Sequence, residues 1–297
     1  MDMKHTFKDW FVATRFWSFP VSAMPVVAST AFLAWKGYEI NWLCAVLALL
    51  GMVVFHAAGN VLSDWWDYRK GVDNERAYAV PNLVFHHFEP SEYMRFSILL
   101  FALGLVIGVV ITILSGWQLL VVGVLGFLLA ASYSFFKFRA LGDIFVFVCF
   151  GVLPLIGTSF VTTGAVDWSV LLLCVPLGIL TVAVLHNNNT VDIATDSESG
   201  IRTLPMRLGE KPSVKLYLAY LVIPYVAVAA FCIAGLMPVT ALLCLLSAPV
   251  ALKLWKTAAG YFKNGREALL GLDQQTAKLH LVFSLLLTLG LVLAIIF

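Results

Sequence analysis

The chain has 297 residues, of which 61% are hydrophobic and only 12% charged. Soluble domains average about 45–50% apolar and about 25% charged residues, so this composition excludes a cytosolic globular protein, a disordered chain and a charged nucleic-acid binder. It implies a polytopic membrane protein, and the formal net charge of +2 points to no polyanionic partner.

Residues 1–18 hold Lys4, Lys8 and Arg15, with Met3, Phe7, Trp10, Phe11 and Thr14 three or four apart. This spacing predicts a short amphipathic helix on the membrane surface. The apolar run that follows lacks a small-residue cleavage site and is read as a retained span rather than a signal peptide. Apolar runs occur near Phe19–Trp35, Trp42–Leu62, Phe96–Leu114, Trp117–Tyr133, Ile144–Val161, Trp168–Leu185, Val214–Ala234, Pro238–Leu254 and Leu279–Phe297. At about 20 residues per spanning helix, these predict nine spans in one polytopic domain, 1–297. The five cysteines are scattered through the runs, with no CxxC, and read as small apolar fillers.

Alternate connections carry the charge. The N-terminus and the second-to-third, fourth-to-fifth, sixth-to-seventh and eighth-to-ninth connections hold 18 of the 19 Lys and Arg residues, and only Lys36 falls on the other side. Cytoplasmic loops collect basic residues, which places the N-terminus in the cytoplasm, the C-terminus outside, and function on the cytoplasmic face of the cell's inner membrane. The segments 63–95 and 192–213 are then cytoplasmic active-site loops.

The second span ends HAAGNVLSDWWDYRKGVD, with Asn60, Asp64 and Asp67 at offsets 0, 4 and 7. The sixth ends LHNNNTVDIATDSESGIRT, with Asn188, Asp192 and Asp196 at offsets 0, 4 and 8. Each set shares one helical face. The signature recurs after 128 residues, or four spans, which suggests an internal four-helix duplication. Two carboxylates about 4 Å apart repel by about 4 kcal/mol at an effective dielectric of 20, so clustering them makes sense around a cation. All-oxygen ligands that leave room for substrate phosphates favour Mg²⁺. Facing clusters surrounded by Arg69, Lys70, Lys137, Arg139 and Arg202 would form a site for a magnesium diphosphate.

The fourth span ends YSFFKFRALGD, which brings Tyr133, Lys137, Arg139 and Asp143 to the same side. A diphosphate contact explains Lys137 as well as a membrane anchor does. In the last loop, Asp273, Gln275 and His280 read as surface residues. His56 and His186 precede the two motifs without a paired-histidine spacing, so they read as hydrogen-bonded helix residues rather than metal ligands.

At these residues the chain resembles the UbiA superfamily of intramembrane aromatic prenyltransferases, and within it the 1,4-dihydroxy-2-naphthoate prenyltransferases of menaquinone synthesis. The resemblance rests on RFWSFPVSAMP, NVLSDWWDYRKGVD, LGDIFVFVCFGVLPLIGTSFV and NNTVDIATDSESGIRTLPMRLG. It implies nine transmembrane helices around a central cavity, a lid of cytoplasmic loops, and Mg²⁺-diphosphate bound by Asp64, Asp67, Asp192 and Asp196. Its matching positions extend the site to Asn60, Asp73, Asn188 and Asn189. The implied reaction transfers a polyprenyl group from polyprenyl diphosphate to the naphthoate, giving demethylmenaquinone. Ser63 stands where the family usually has Asn, and YSFFKFR is closer to the 4-hydroxybenzoate branch, whereas KGVD and GDIFVFVCFG look like the naphthoate branch. Another aromatic acceptor is therefore the alternative.

A secondary transporter is the competing class, since duplication and intramembrane acids mark those folds too. Its acids should lie near the bilayer midplane beside broken helices. Here they lie at helix ends, and the sequence is read as having no paired Gly/Pro interruption at mid-span.

Overall fold

The computed structural model describes residues 5–69, 83, 87–126, 128, 139–198 and 202–297, with the backbone alone for 195, 196 and 198. All its regular structure is helical. A short helix α1 (Phe7–Ala13) precedes three long ones: α2 (Phe16–Trp35), α3 (Trp42–Arg69) and α4 (Pro90–Ser115). Residues 119–126 form α5. After them come α6 (Gly142–Thr163) and α7 (Trp168–Val191), the short α8 (Ile193–Glu198) and α9 (Leu204–Leu208), then α10 (Glu210–Ile233), α11 (Val239–Leu269) and α12 (Leu272–Ile296).

Eight helices among the described residues are long and apolar enough to cross a membrane. Of the expected span Trp117–Tyr133, residues 117–126 and 128 are described, with helix over 119–126, and the rest lies outside the described residues. The helices also run further than hydropathy predicts: α3 continues seven residues past Leu62 to Arg69, and α7 continues to Val191. Apolar runs stop where polarity begins, but the backbone ladder continues while side chains supply partners beyond the apolar zone. The expected loops 63–95 and 192–213 accordingly begin and end in helix.

The main core joins α2, α7, α10, α11 and α12 through Phe32, Leu33, Leu173, Leu177, Leu180, Tyr217, Leu254, Leu279, Phe283 and Leu287, all essentially without exposure. The opposite polarity holds outside: α4 exposes Ile98, Leu99, Leu105, Val106 and Ile113 along one side. A water-soluble monomer does not leave so continuous an apolar surface; hydrocarbon covers it in a bilayer.

Polar contacts fix which helix ends meet. At one edge, the Lys36 ammonium after α2 donates to Asp167 Oδ2 (2.7 Å) just ahead of α7 and to Ser169 Oγ (2.8 Å) in its first turn, and Asn41 N–H donates to the Thr162 carbonyl (2.8 Å). Since the end of α2 meets the start of α7 there, the end of α7 lies at the other edge. That edge also holds the start of α2, which Arg15 ties to the end of α3. The two acid-bearing helix ends therefore share one edge of the bundle, and Lys36 sits at the opposite one.

Helices α6 and α7 each contain a π turn, at Phe147–Val152 and Cys174–Gly178. A paired Gly/Pro interruption does exist, contrary to the sequence reading. Pro154 and Pro176 lack the N–H that would close an i→i−4 bond, and the ladder widens locally instead of breaking. The turns face each other where Gly151 and Gly178 touch: a Cβ on Gly151 would lie 3.1 Å from Gly178 Cα, and one on Gly178 would lie 2.7 Å from the Phe147 ring. Gly290 is tighter still, since its Cβ would lie 2.2 Å from the Thr240 carbonyl oxygen.

Gly290→Ala is expected to force α11 and α12 apart at a cost of about 1–3 kcal/mol, read as a lower thermal midpoint in detergent. A midpoint equal to wild type would show that the crossing can relax. Asp167 gives a pH test. Burial alone would raise its pKa, but the hydrogen bonds from Lys36 and Ser169 hold the carboxyl well below the usual range. Its contribution is therefore complete above the unfolded value of about 4 and is lost as pH falls through the lower folded value. Asp167→Asn should lower the midpoint at pH 7, and the gap to wild type should shrink below about pH 4.

Candidate functional site

Three side chains on one face of α3, His56, Asn60 and Asp64, grip the corner between α1 and α2. His56 Nδ1 lies 2.9 Å from Ser22 Oγ and its Nε2 3.3 Å from Ser18 Oγ. Asn60 Nδ2 donates to the Thr14 carbonyl (2.9 Å) and to Ser18 Oγ (3.2 Å). Asp64 forms an ion pair with the Arg15 guanidinium. Arg15 adopts a left-handed backbone (φ 54, ψ 48), which costs roughly 1–2 kcal/mol in a residue with a Cβ and persists only where its surroundings over-determine it. The three contacts from α3 supply that restraint.

The amphipathic reading of residues 1–18 therefore changes. The helix begins at Phe7, with Thr6 and Asp9 forming a reciprocal cap. Trp10, Ala13 and Thr14 turn inward, and Trp10 packs on Phe88 (4.7 Å) and Phe96 (4.6 Å). Phe7 and Phe11 turn outward, and Phe16 continues their row. The expected single apolar face is two faces, because the bundle competes with the membrane for the aromatic residues; Met3 lies outside the described residues.

The second motif closes α7. Asp192 terminates the helix, its N–H donating to the Asn188 carbonyl (3.0 Å), and its carboxylate lies 3.9 Å from Arg266 Nη2. Asn189 is buried. Asn187 Nδ2 donates to the Leu269 carbonyl (3.2 Å), which ties this end of α7 to the end of α11. Asp192 thus stands at a helix C-terminus, where the backbone dipole adds negative potential, while Asp64 lies five residues before Arg69, the last described residue of α3, and each is met by a guanidinium from a distant part of the chain.

A third acid, Asp143, opens α6 and is buried. Its Oδ2 lies 2.6 Å from His186 Nδ1 on α7, while His186 Nε2–H donates to the Ser213 carbonyl at the start of α10 (3.1 Å). A carbonyl only accepts, so Nε2 carries a proton, and one further proton lies between Nδ1 and the carboxyl. The pair is electroneutral wherever that proton sits, which is what burial at 0% and 6% side-chain exposure demands. Asp143 Oδ1 has no hydrogen-bond partner among the described residues. This confirms the reading of His56 and His186 as hydrogen-bonded helix residues. His280 is a correction: it is fully buried, with Nε2 3.2 Å from the Leu177 carbonyl and 3.3 Å from Thr181 Oγ1. Its oxygen partners on α7 hold it inside the bundle.

Among the remaining expected residues, Asp67 is half-buried, Arg139 and Arg202 are exposed, and the exposed Arg69 guanidinium lies 5.6 Å from the Trp65 ring centroid. Lys70, Asp73, Tyr133 and Lys137 lie outside the described residues, as does the side chain of Asp196. Among the described residues, no three His, Cys, Asp or Glu side chains gather closely enough to hold a metal ion. The donor chemistry nonetheless fits a hard cation: oxygen ligands only, at negative helix ends, with Asp64 buried and already compensated by a positive group. The sequence reading missed Arg15 and Arg266 as partners of the acids, having counted them only toward topology. An apolar hollow at mid-span between α10 and α11, lined by Leu221, Tyr225, Ala251 and Trp255, contains none of this chemistry.

Comparison with known proteins agrees with this architecture. Residues 22–270 match the UbiA prenyltransferase family. The chain is 31% identical over 291 residues to the UbiA prenyltransferase domain-containing protein 1 of Xenopus tropicalis, covering 96% of this chain and 82% of that protein. The apo structure of a UbiA homolog from Aeropyrum pernix K1 superimposes with a TM-score of 0.68 at 18% identity, over 94% of this chain and 96% of that one. A UbiA homolog from Archaeoglobus fulgidus, bound to DMAPP and Mg²⁺, gives 0.59 at 14% identity, over 94% and 98%.

Asp143→Ala is expected to leave His186 Nδ1 buried without a partner, at a cost of about 1–3 kcal/mol. Asp143→Asn, whose amide can donate to Nδ1, should recover much of that loss. Thermal unfolding of both variants in detergent checks this, and an unperturbed Asp143→Ala would show that the contact does not hold α6 to α7.

Proposed function

Because the chain belongs to the UbiA prenyltransferase family, we propose that it catalyses Mg²⁺-dependent transfer of a polyprenyl group from polyprenyl diphosphate to 1,4-dihydroxy-2-naphthoate. The observation that carries the reading is the pair of acid-bearing helix ends on one edge of the bundle, with Asp64 and Asp192 each paired to arginine. Acidic oxygen ligands gathered at one edge are the donor type a hard cation takes, and the Archaeoglobus homolog is described with Mg²⁺ and DMAPP.

In this reading Asp64, Asp67, Asp192 and Asp196 hold the metal, and Asn60, Asp73, Asn188 and Asn189 complete the polar surround. When bound, Mg²⁺ neutralises the diphosphate and lowers the barrier to its departure. Lys137 and Arg202, with Arg69, Lys70 and Arg139 around them, stabilise the charge that develops on the leaving group. The allylic C1–O bond breaks with its electron pair going to diphosphate, and the electron-rich ring carbon bonds to C1. Loss of that carbon's carboxylate as CO₂ returns an electron pair to the ring and gives demethylmenaquinone in its quinol form. Tyr133 is assigned to substrate binding.

The excess of Lys and Arg on one set of connections supports a cytoplasmic orientation for the acid-bearing edge, and the assignment to the inner membrane goes with the proposed reaction. The naphthoate assignment rests on KGVD and GDIFVFVCFG, and YSFFKFR favours 4-hydroxybenzoate as the second acceptor. The recurrence of the Asn/Asp signature supports an origin by four-helix duplication.

Purified protein in lipid, given Mg²⁺, a labelled polyprenyl diphosphate and each acceptor separately, should yield EDTA-sensitive product from the naphthoate. Product from the benzoate alone would move the acceptor assignment and keep the class. Asp64→Ala and Asp192→Ala should each lower transfer by at least about 10²-fold, the scale lost when one preorganised transition-state contact is removed, while still inserting. Wild-type turnover in either variant would overturn the assignment of these acids.

A further inference from the structure

We propose that the outer seam between α10 and α11 binds an anionic phospholipid, with one acyl chain in the apolar hollow between these helices and the phosphate headgroup on Lys211, Lys215, Lys256 and Lys263. The site is independent of the reaction proposed above.

The hollow encloses about 190 Å³. Sites that take a whole small molecule begin at roughly 300 Å³, so this one suits a stretch of a single hydrocarbon chain. Among its lining residues, Val222, Leu252 and Trp255 are exposed, and the hollow therefore opens outward, to where the bilayer lies. Tyr225 adds its ring to the lining while its hydroxyl is engaged with Ser247 Oγ (2.7 Å), so the surface offered to a ligand is apolar.

Both helices carry lysines from the hollow to the acid-bearing edge. On α10, Lys215 and Lys211 stand seven and eleven residues before Val222; on α11, Lys256 and Lys263 stand four and eleven residues after Leu252. Steps of four, seven and eleven keep to one helical face, and the turns at Leu221, Val222 and Gly260 stay in the right-handed helical region, so the faces carry through them. The two helices run in opposite directions, and Tyr261 OH donates to Glu210 where their ends meet. Both stripes thus climb to one place. At 1.5 Å per residue, Lys211 lies about 16 Å beyond Val222, half of the roughly 30 Å hydrocarbon thickness. That is the reach of one acyl chain from mid-bilayer to its headgroup.

All four lysines are exposed, and none pairs with a carboxylate among the described residues. Glu210, the acid beside Lys211, is engaged by Tyr261. Basic groups between spans attract anionic headgroups, and lysine stems lie along apolar surface with the ammonium in the polar layer. The positive-inside bias accounts for lysines on this side, but it does not require them on two adjacent stripes that end at one hollow.

Native mass spectrometry of the full chain in detergent with EDTA, titrated with phosphatidylglycerol or phosphatidylcholine of identical acyl chains, tests the site. Wild type should bind phosphatidylglycerol at least about fivefold more tightly; a smaller preference, or none, overturns the headgroup site. The combined variant Lys211→Gln, Lys215→Gln, Lys256→Gln and Lys263→Gln should weaken phosphatidylglycerol binding by about tenfold or more and leave phosphatidylcholine within about twofold. Lys8→Gln with Arg95→Gln removes exposed charge from α1 and α4 instead and should stay within about twofold of wild type; a loss as large as that of the lysine variant would show general attraction to a basic edge and overturn the proposal. Ala248→Leu fills the hollow without touching the lysines and should cost about fourfold, the scale of one methylene returned to a less favourable environment, so unchanged binding overturns the hollow as the seat of the chain. Displacement of phosphatidylglycerol by farnesyl diphosphate at a lower concentration than the lipid itself would overturn the phospholipid as occupant.

Discussion

A carboxylate removed from water must meet a cation or share a proton, and four such acids organise this bundle. Asp64 meets Arg15, Asp143 meets His186, Asp167 meets Lys36 and Asp192 lies near Arg266. None of the partners is a sequence neighbour, so each pair closes a long loop and specifies which helix ends are adjacent. Hydrophobic burial cannot do this in a bilayer, where lipid tails solvate leucine as well as another helix does. The apolar surface brings the spans into the membrane, and the polar contacts select the arrangement within it.

The chemistry follows from where those contacts lie. Lys36–Asp167 secures one edge. At the other edge Asp192 caps α7, where carbonyl dipoles deepen the negative potential, and Asp64 stands on the last turns of α3. Their arginine partners offset this charge from distant parts of the chain, so the pairs also tie those segments to the acid-bearing edge. The electroneutral Asp143–His186 pair plays the complementary part: it joins α6, α7 and the start of α10 just below Asp192 and adds no net charge to the site.

Close backbone approach is the second organising device. Gly151 against Gly178 and Gly290 against Thr240 let helices cross without side chains between them, and the prolines near the first crossing widen the ladder into π turns. Packing of this kind, small residue against backbone, is how membrane helices gain contact area when no hydrophobic gain is available.

Composition, the apolar runs and the alternation of basic connections determined that the chain is an all-helical membrane protein and which helix ends share an edge. Those features are local and additive, so they can be read one segment at a time. The spacing Asn60–Asp64–Asp67 and its recurrence at Asn188–Asp192–Asp196 likewise marked the two polar helix ends, since side chains three, four or eight apart share a face in any α-helix. The partners of those acids came only from the tertiary structure. Arg15 and Arg266 look like ordinary topology markers until folding brings them beside Asp64 and Asp192, and Trp10 belongs to an apolar stripe until Phe88 and Phe96 draw it inward. His280, a polar residue in a sequence sense, is buried because Leu177 and Thr181 offer it oxygen atoms. Pairing between segments distant in sequence depends on how the helices cross, and no single segment carries that information.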